Sequence, residues 1–388
     1  MGCALCRRRR SARVCDGQLS LSTWTQQMAA DERPGGHLNW QKAQSSRSPV
    51  QDFVINPLLQ PPSGETWVSS PSVLEIDGYV HLWVSISAGI VHFVSTNGLS
   101  DWRVVELTVD SPGASGPCVC WAEEGSVVYL FYEQADRTGS FHSVKVKCIS
   151  ARLPSAAFSA GDWLWSSEAE VLEPELEWEK VQIARVGHPF VIYSSFRDQW
   201  LLFYSASVSR RDSKNLGAGP LYVGVAAAGE VQGPYRRVLE KKPMMGTADG
   251  SPQVVGAGSF KMIKGFDDLK FDDEAGIGRR LLGLWNRITR GHNGVIGSSI
   301  ALMASVDGFS WSVIDADFLA PTLQPGSWKK AHVHAFDTMI PSFDPDHVFI
   351  YYDARDDYKS SKECVGVSRV PITFLDSIAS TTATRVGA

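Results

Sequence analysis

Three absences narrow this chain before any motif is read. Its 388 residues contain no run of about 18 apolar residues, which excludes a membrane-spanning helix. Apolar residues at helical spacing are scarce beyond residue 60, so a helical bundle is not expected. The seven cysteines make no disulfide framework: Cys3, Cys6 and Cys15 fall near the amino terminus, while Cys118, Cys120, Cys148 and Cys364 sit in apolar strand contexts, which reads as reduced thiols. Charge is sparse as well, at 20% of residues against 44% hydrophobic, the balance of a soluble globular chain with ample core. The net charge is -5, and Arg7, Arg8, Arg9, Arg10 and Arg13 are all positive, which leaves about -10 for the remainder. A body that acidic repels a phosphate backbone, so nucleic acid is not an expected partner. No apolar stretch follows the arginines to serve as a signal-peptide core, and a cytoplasmic location is the expectation.

Residues 1–50 read as a basic tail and polar linker, 51–375 as one β domain, and 376–388 as a short C-terminal tail. The first residues, Met1-Gly2-Cys3-Ala4-Leu5-Cys6 and four arginines, resemble a lipid-anchored amino terminus. Gly2 would carry myristate, Cys3 and Cys6 palmitate, and the arginines would meet anionic lipid at a peripheral membrane contact. Position 6 departs from the motif, which favours Ser or Thr there. A plain basic tail is the alternative.

What the body does contain is a repeat. Five times an apolar run near a Pro is answered, after a turn, by an aromatic-rich ladder. The first runs are Ser70-Pro71-Ser72-Val73-Leu74, Gly116-Pro117-Cys118-Val119-Cys120, His188-Pro189-Phe190-Val191-Ile192, Ser251-Pro252-Gln253-Val254-Val255 and Asp337-Thr338-Met339-Ile340-Pro341. The ladders end on Ser85, Glu133, Ser205, Asn286 and Asp353. Such β-branched and aromatic pairs, repeated with turns between, predict sheets arranged radially, because each sheet needs neighbours to cover its faces. The expected fold is an all-β, five-bladed β-propeller. Ser95-Thr96-Asn97-Gly98 before Trp102, and Ser305-Val306-Asp307-Gly308 before Trp311, predict two matching hairpin turns.

These residues resemble the five-bladed propeller glycosidases of glycoside hydrolase family 43 and its relatives in families 32, 62 and 117. Trp67 to Leu74 with Asp77-Gly78-Tyr79 looks like that family's first inner strand and turn, Gly233-Pro234-Tyr235 like its outer-strand motif, and Tyr352-Asp353-Ala354-Arg355 like its last blade. The resemblance implies an axial pocket that acts on a glycosidic bond, with a carbohydrate partner and no required cofactor. It also implies an axial Ca²⁺ in many members, near a His of the last blade, a place His334 would fill. The family places three carboxylates on inner strands, and here the corresponding slots hold Ser70, His188 and the stretch Asp249-Gly250-Ser251. Hydrolysis needs one group to protonate the leaving oxygen and another to activate water, so the usual mechanism lacks partners here.

The expectation is therefore a displaced site, with Asp249, Asp337 and His188 as catalytic groups. Ser70, Glu133, Asn286, Asp353 and Arg355 would line the rim, and Trp67 and Trp121 would serve as platforms for a sugar ring. The alternative is a non-catalytic propeller that binds glycan or protein through the same pocket, or a membrane-tethered scaffold.

Overall fold

The computed structural model describes residues 40–42, 49–62, 65–121, 126–136, 143–153, 162–181, 183–208, 219–246, 253–267, 271–272, 277–291, 294–322, 324, 326–356 and 362–380. The lipidation candidates Gly2, Cys3 and Cys6, and the catalytic candidate Asp249, lie outside them. Among the described residues the regular structure is almost entirely strand, with a single α-helix at Ile372–Ala379.

Apolar runs buried along most of their length, on both faces, form antiparallel groups in chain order. Ser69–Ile76, Tyr79–Ile86, Gly89–Ser95 and Arg103–Asp110 form the first, a four-stranded sheet. Ala114–Trp121, Val127–Asp136, Ser143–Arg152 and Ala169–Leu172 form the second, and Ile183–Ser194, Gln199–Val208 and Pro220–Ala228 the body of the third. Among the described residues one parallel strand pairing, Arg185 with Val144, runs between these two. Val254–Met262, Leu281–Arg290, Ile296–Ser305 and Trp311–Leu319 form the fourth group; His332–Met339, His347–Arg355 and Glu363–Pro371 form the fifth. They too meet through one parallel pair, Ser298 with His332. Gln51–Phe53 returns to the fifth group as an outer strand, Gln51 opposite Arg369.

The first strands of successive groups pack against one another, and that of the fifth packs against that of the first. Each breaks register at the same place: after Ser69, Ser115, Gly187, Ala257 and Val333. A bulge of this kind re-aims the following side chains. Ser70, Gly116 and His188 each take a positive φ at it, of 53°, 60° and 43°. The ladder aromatics fill the spaces between groups; Phe203 lies 5.1 Å from Phe260, and Trp102 lies 6.5 Å from Tyr351. The two hairpin turns match as expected. Ser95 Oγ accepts the Gly98 N–H and Asn97 Oδ1 those of Leu99 and Ser100, while Ser305 and Asp307 do the same for Gly308, Phe309 and Ser310.

Backbone amides at the bulges are held by side chains of the preceding group. Ser85 Oγ accepts the Gly116 N–H at 3.0 Å, Glu133 Oε2 that of His188 at 2.8 Å, and Asp353 Oδ2 that of Ser70 at 2.7 Å. The last of these links the fifth group back to the first.

Candidate functional site

The bulges surround an open cavity of about 710 Å³. From the first group it is lined by Trp67, Ser69 and Ser70; from the second by Ser115 and Glu133; from the third by Arg185 and His188; from the fourth by Gly258, Ser259, Asn286 and Ser298; and from the fifth by His332, His334, Asp353, Arg355 and Glu363. Beneath it, the bulge residues Ser70, Gly116, His188, Ser259 and Ala335 of all five groups meet around a void of only about 10 Å³.

The structure thus brings together Trp67, Ser70, Glu133, His188, Asn286, His334, Asp353 and Arg355. It does not bring Trp121 to them. Trp121 lies at the far end of the strand that begins with Ala114, roughly 16 Å along the chain direction from the bulge, and packs in the core between the first two groups. Asp337 is also outside the lining. It is 2% exposed, accepts the Ser72 hydroxyl and the Val73 N–H at 2.9 Å each, and has Lys264 Nζ at 3.5 Å and Lys261 Nζ at 3.8 Å. Its carboxylate holds the fifth group to the first within the core. Asp249 precedes the strand that carries the fourth bulge, and in that group the place of Ser70 and His188 falls to Gly258 and Ser259. In the fifth it falls to His334 and Ala335, three residues before Asp337. Neither bulge holds a Pro, so the Pro-marked repeat falls out of register there.

Two acids in the lining have opposite environments. Glu133 is 6% exposed; Oε1 accepts the Ser115 hydroxyl at 2.8 Å, and Oε2 accepts both the His188 N–H and an Arg185 guanidinium N–H. Burial alone would raise its pKa, but Arg185, His188 and these hydrogen bonds outweigh burial and hold it at about 2. Asp353 is 1% exposed. No N–H or O–H reaches its Oδ1, and the Glu363 carboxyl stands close enough for its charge to act on it. Burial first, and the negative charge of Glu363 second, push Asp353 well above the usual carboxylate range. Glu363 is raised by burial too, against the opposing pull of Arg355, which donates to its Oε2 at 2.8 and 2.6 Å. Arg185 and Glu363 were not singled out in the sequence. Each lies near the open end of an inner or outer strand, and only the strand pairing Arg355 opposite Glu363 would have exposed the second.

His188 is lowered to about 4 by burial, with Glu133 opposing, so its ring is neutral at pH 7. His332 is likewise lowered to about 4, and His334 is held well below the ordinary imidazole value by burial. Among the described residues no group of three or more His, Cys, Asp or Glu side chains is arranged to hold a metal ion. His334 therefore has no companion ligands for the axial Ca²⁺ that the family resemblance implies.

No family model matches the sequence. No curated protein matches it either. Solved structures do. The catalytic domain of a family 62 α-L-arabinofuranosidase from Coprinopsis cinerea superposes with a TM-score of 0.53 at 13% identity, over 86% of this chain and 96% of that one. An α-L-arabinofuranosidase from Podospora anserina in complex with cellotriose gives 0.52 at 14%, over 81% and 94%. An N-acetylgalactosamine deacetylase from F. plautii in complex with blood group B trisaccharide gives 0.50 at 12%, over 88% and 97%. This likeness establishes the fold: the chain is built as the propeller glycosidases are. Identity this low leaves the chemistry to the residues themselves.

Proposed function

We propose that the five groups are the blades of a five-bladed β-propeller, and that its axial cavity binds carbohydrate and hydrolyses a glycosidic bond. The acid has moved from the family's usual slots to the fifth blade. The observation that carries this reading is the Asp353–Glu363 pair: two buried carboxyls in a cavity wall, both raised above the usual carboxylate range by burial. A carboxylic acid that stays protonated is what the leaving oxygen of a glycoside needs, and Ser70 and His188 cannot supply one. Trp67, in the same lining, offers an apolar face to a sugar ring.

The test is turnover of aryl glycosides of arabinose, xylose and galactose and of fructosyl substrates. Wild type should cleave at least one, and Asp353→Asn and Glu363→Gln should each slow it about a hundredfold or more. Unchanged rates in both variants would remove the acid from the fifth blade. A second reading, a non-catalytic glycan-binding propeller, is favoured by one observation: every oxygen of Glu133 is already committed. Binding of a glycan with no turnover across the panel would select it.

A further inference from the structure

The cavity has two unlike walls. On one side Trp67 forms a parallel bridge with Glu363, and Glu363 stands opposite Arg355, which gathers an aromatic face, the carboxyls and a guanidinium. On the other side the lining is carbon. Apart from Ala335, every aliphatic side chain in it comes from the third and fourth groups: Val208 and Pro220, paired with each other at their strand ends, and Ile288, Val295 and Ile296. These side chains form one surface. A side-chain carbon at Gly219, beside Pro220, would stand 3.0 Å from Ile288 Cδ1, so the isoleucine of the fourth group closes on that end of the third with no side chain between them. Ile288 and Ile296 cluster with Val255, separately from the large cores of the groups, and Val295 is 37% exposed.

Resting on the carbohydrate reading, we propose that this surface is an aglycone subsite, and that the ligand is one sugar joined to an apolar alkyl, aryl or terpenoid group rather than a polysaccharide. Glu363, Arg355, His332, Ser298 and Ile288 follow one another across neighbouring strands, so at about 4.8 Å per strand Ile288 lies roughly 19 Å from Glu363 along the curved wall. A single sugar held at the carboxyls therefore leaves the carbon side of a cavity of about 710 Å³ to whatever that sugar is joined to. The hydroxyls of a second sugar would face carbon there and lose their water partners. An apolar group gains instead, about threefold to fourfold in affinity for each methylene buried.

The experiment titrates the full chain with the methyl and hexyl glycosides of arabinose, xylose and galactose, with xylobiose, and with hexan-1-ol as the alkyl chain without a sugar. For at least one sugar the hexyl glycoside should bind on the order of a hundredfold tighter than the methyl glycoside, and xylobiose should gain less than about threefold over methyl xyloside. Val295→Asn and Val208→Thr, with folding checked by urea, should each shrink the hexyl-to-methyl ratio about threefold to tenfold. A ratio unchanged in both folded variants would overturn the proposal. Equal binding of methyl and hexyl glycosides, or a larger gain from the second sugar of xylobiose than from the hexyl chain, would overturn it and leave the carbohydrate reading standing. Hexan-1-ol binding as tightly as every hexyl glycoside would overturn both, because the sugar would then contribute nothing, and so would an absence of binding across the whole series.

Discussion

Glu133 and Asp353 perform the same structural task in different parts of the ring, and the contrast between them separates scaffold from site. Each is a buried acid that accepts a bulge N–H from the next group, His188 for one and Ser70 for the other. Glu133 is saturated by Ser115, His188 and Arg185 and stays ionised. Asp353 keeps an oxygen without an N–H or O–H donor and a second carboxyl near it, and burial raises its pKa well above the usual carboxylate range. One has spent its hydrogen-bonding capacity on the fold. The other has an oxygen left over.

The contrast is broken most severely at Glu133. Glu133→Ala leaves Arg185 charged, 9% exposed and unpaired, so urea unfolding should show a loss of about 3–5 kcal/mol. A loss under 1 kcal/mol would mean the ion pair is not a clasp. Asp353→Asn should do the reverse. It keeps a group able to accept the Ser70 N–H, so the fold should survive while aryl-glycoside turnover falls about a hundredfold or more, roughly 2.7 kcal/mol of barrier.

How far the sequence revealed this site depends on proline. In the first three groups the bulge is marked by Ser70-Pro71, Gly116-Pro117 and His188-Pro189, and Ser70, Glu133 and His188 line the cavity wall. In the fourth and fifth groups Gly258-Ser259 and His334-Ala335 make the bulge with no Pro, so Asp337 was assigned a level that it does not occupy. The ladders gave Asn286, Asp353 and Arg355 without that marker, because alternation along a strand does not depend on it. Arg185 and Glu363 escaped because an isolated charge at a strand end reads as a solvated one until its partner is known.

Acid sharpens the comparison further. The folded-state pKa of Glu133, about 2, lies below its ordinary 4.5, so the stability it contributes is present above pH 4.5 and lost as pH falls toward 2. The buried histidines act earlier. His81, hydrogen-bonded to His92 at 2.9 Å in the core between the first two groups, is lowered by burial from 6.5 to about 4. The unfolded chain therefore binds more protons between those values, and stability should fall with pH from 6.5 toward 4, by on the order of 1 kcal/mol per pH unit for each such histidine. A flat unfolding midpoint across that range would show that these rings are not held neutral.

The smallest change is expected at the sugar platform. Trp67→Ala should weaken glycan binding about tenfold without altering the unfolding free energy by more than about 1 kcal/mol, as measured by titration and by denaturant in parallel.

The central claim, that the fifth group carries a buried carboxyl pair with raised pKa values in a glycan-binding wall, is open to direct measurement by infrared difference spectroscopy of wild type against Asp353→Asn at pH 7. The account predicts a protonated-carboxyl C=O band in wild type that is absent from the variant and weakened or shifted in Glu363→Gln. A wild-type spectrum showing only ionised carboxylates at pH 7, unchanged in both variants, would contradict it.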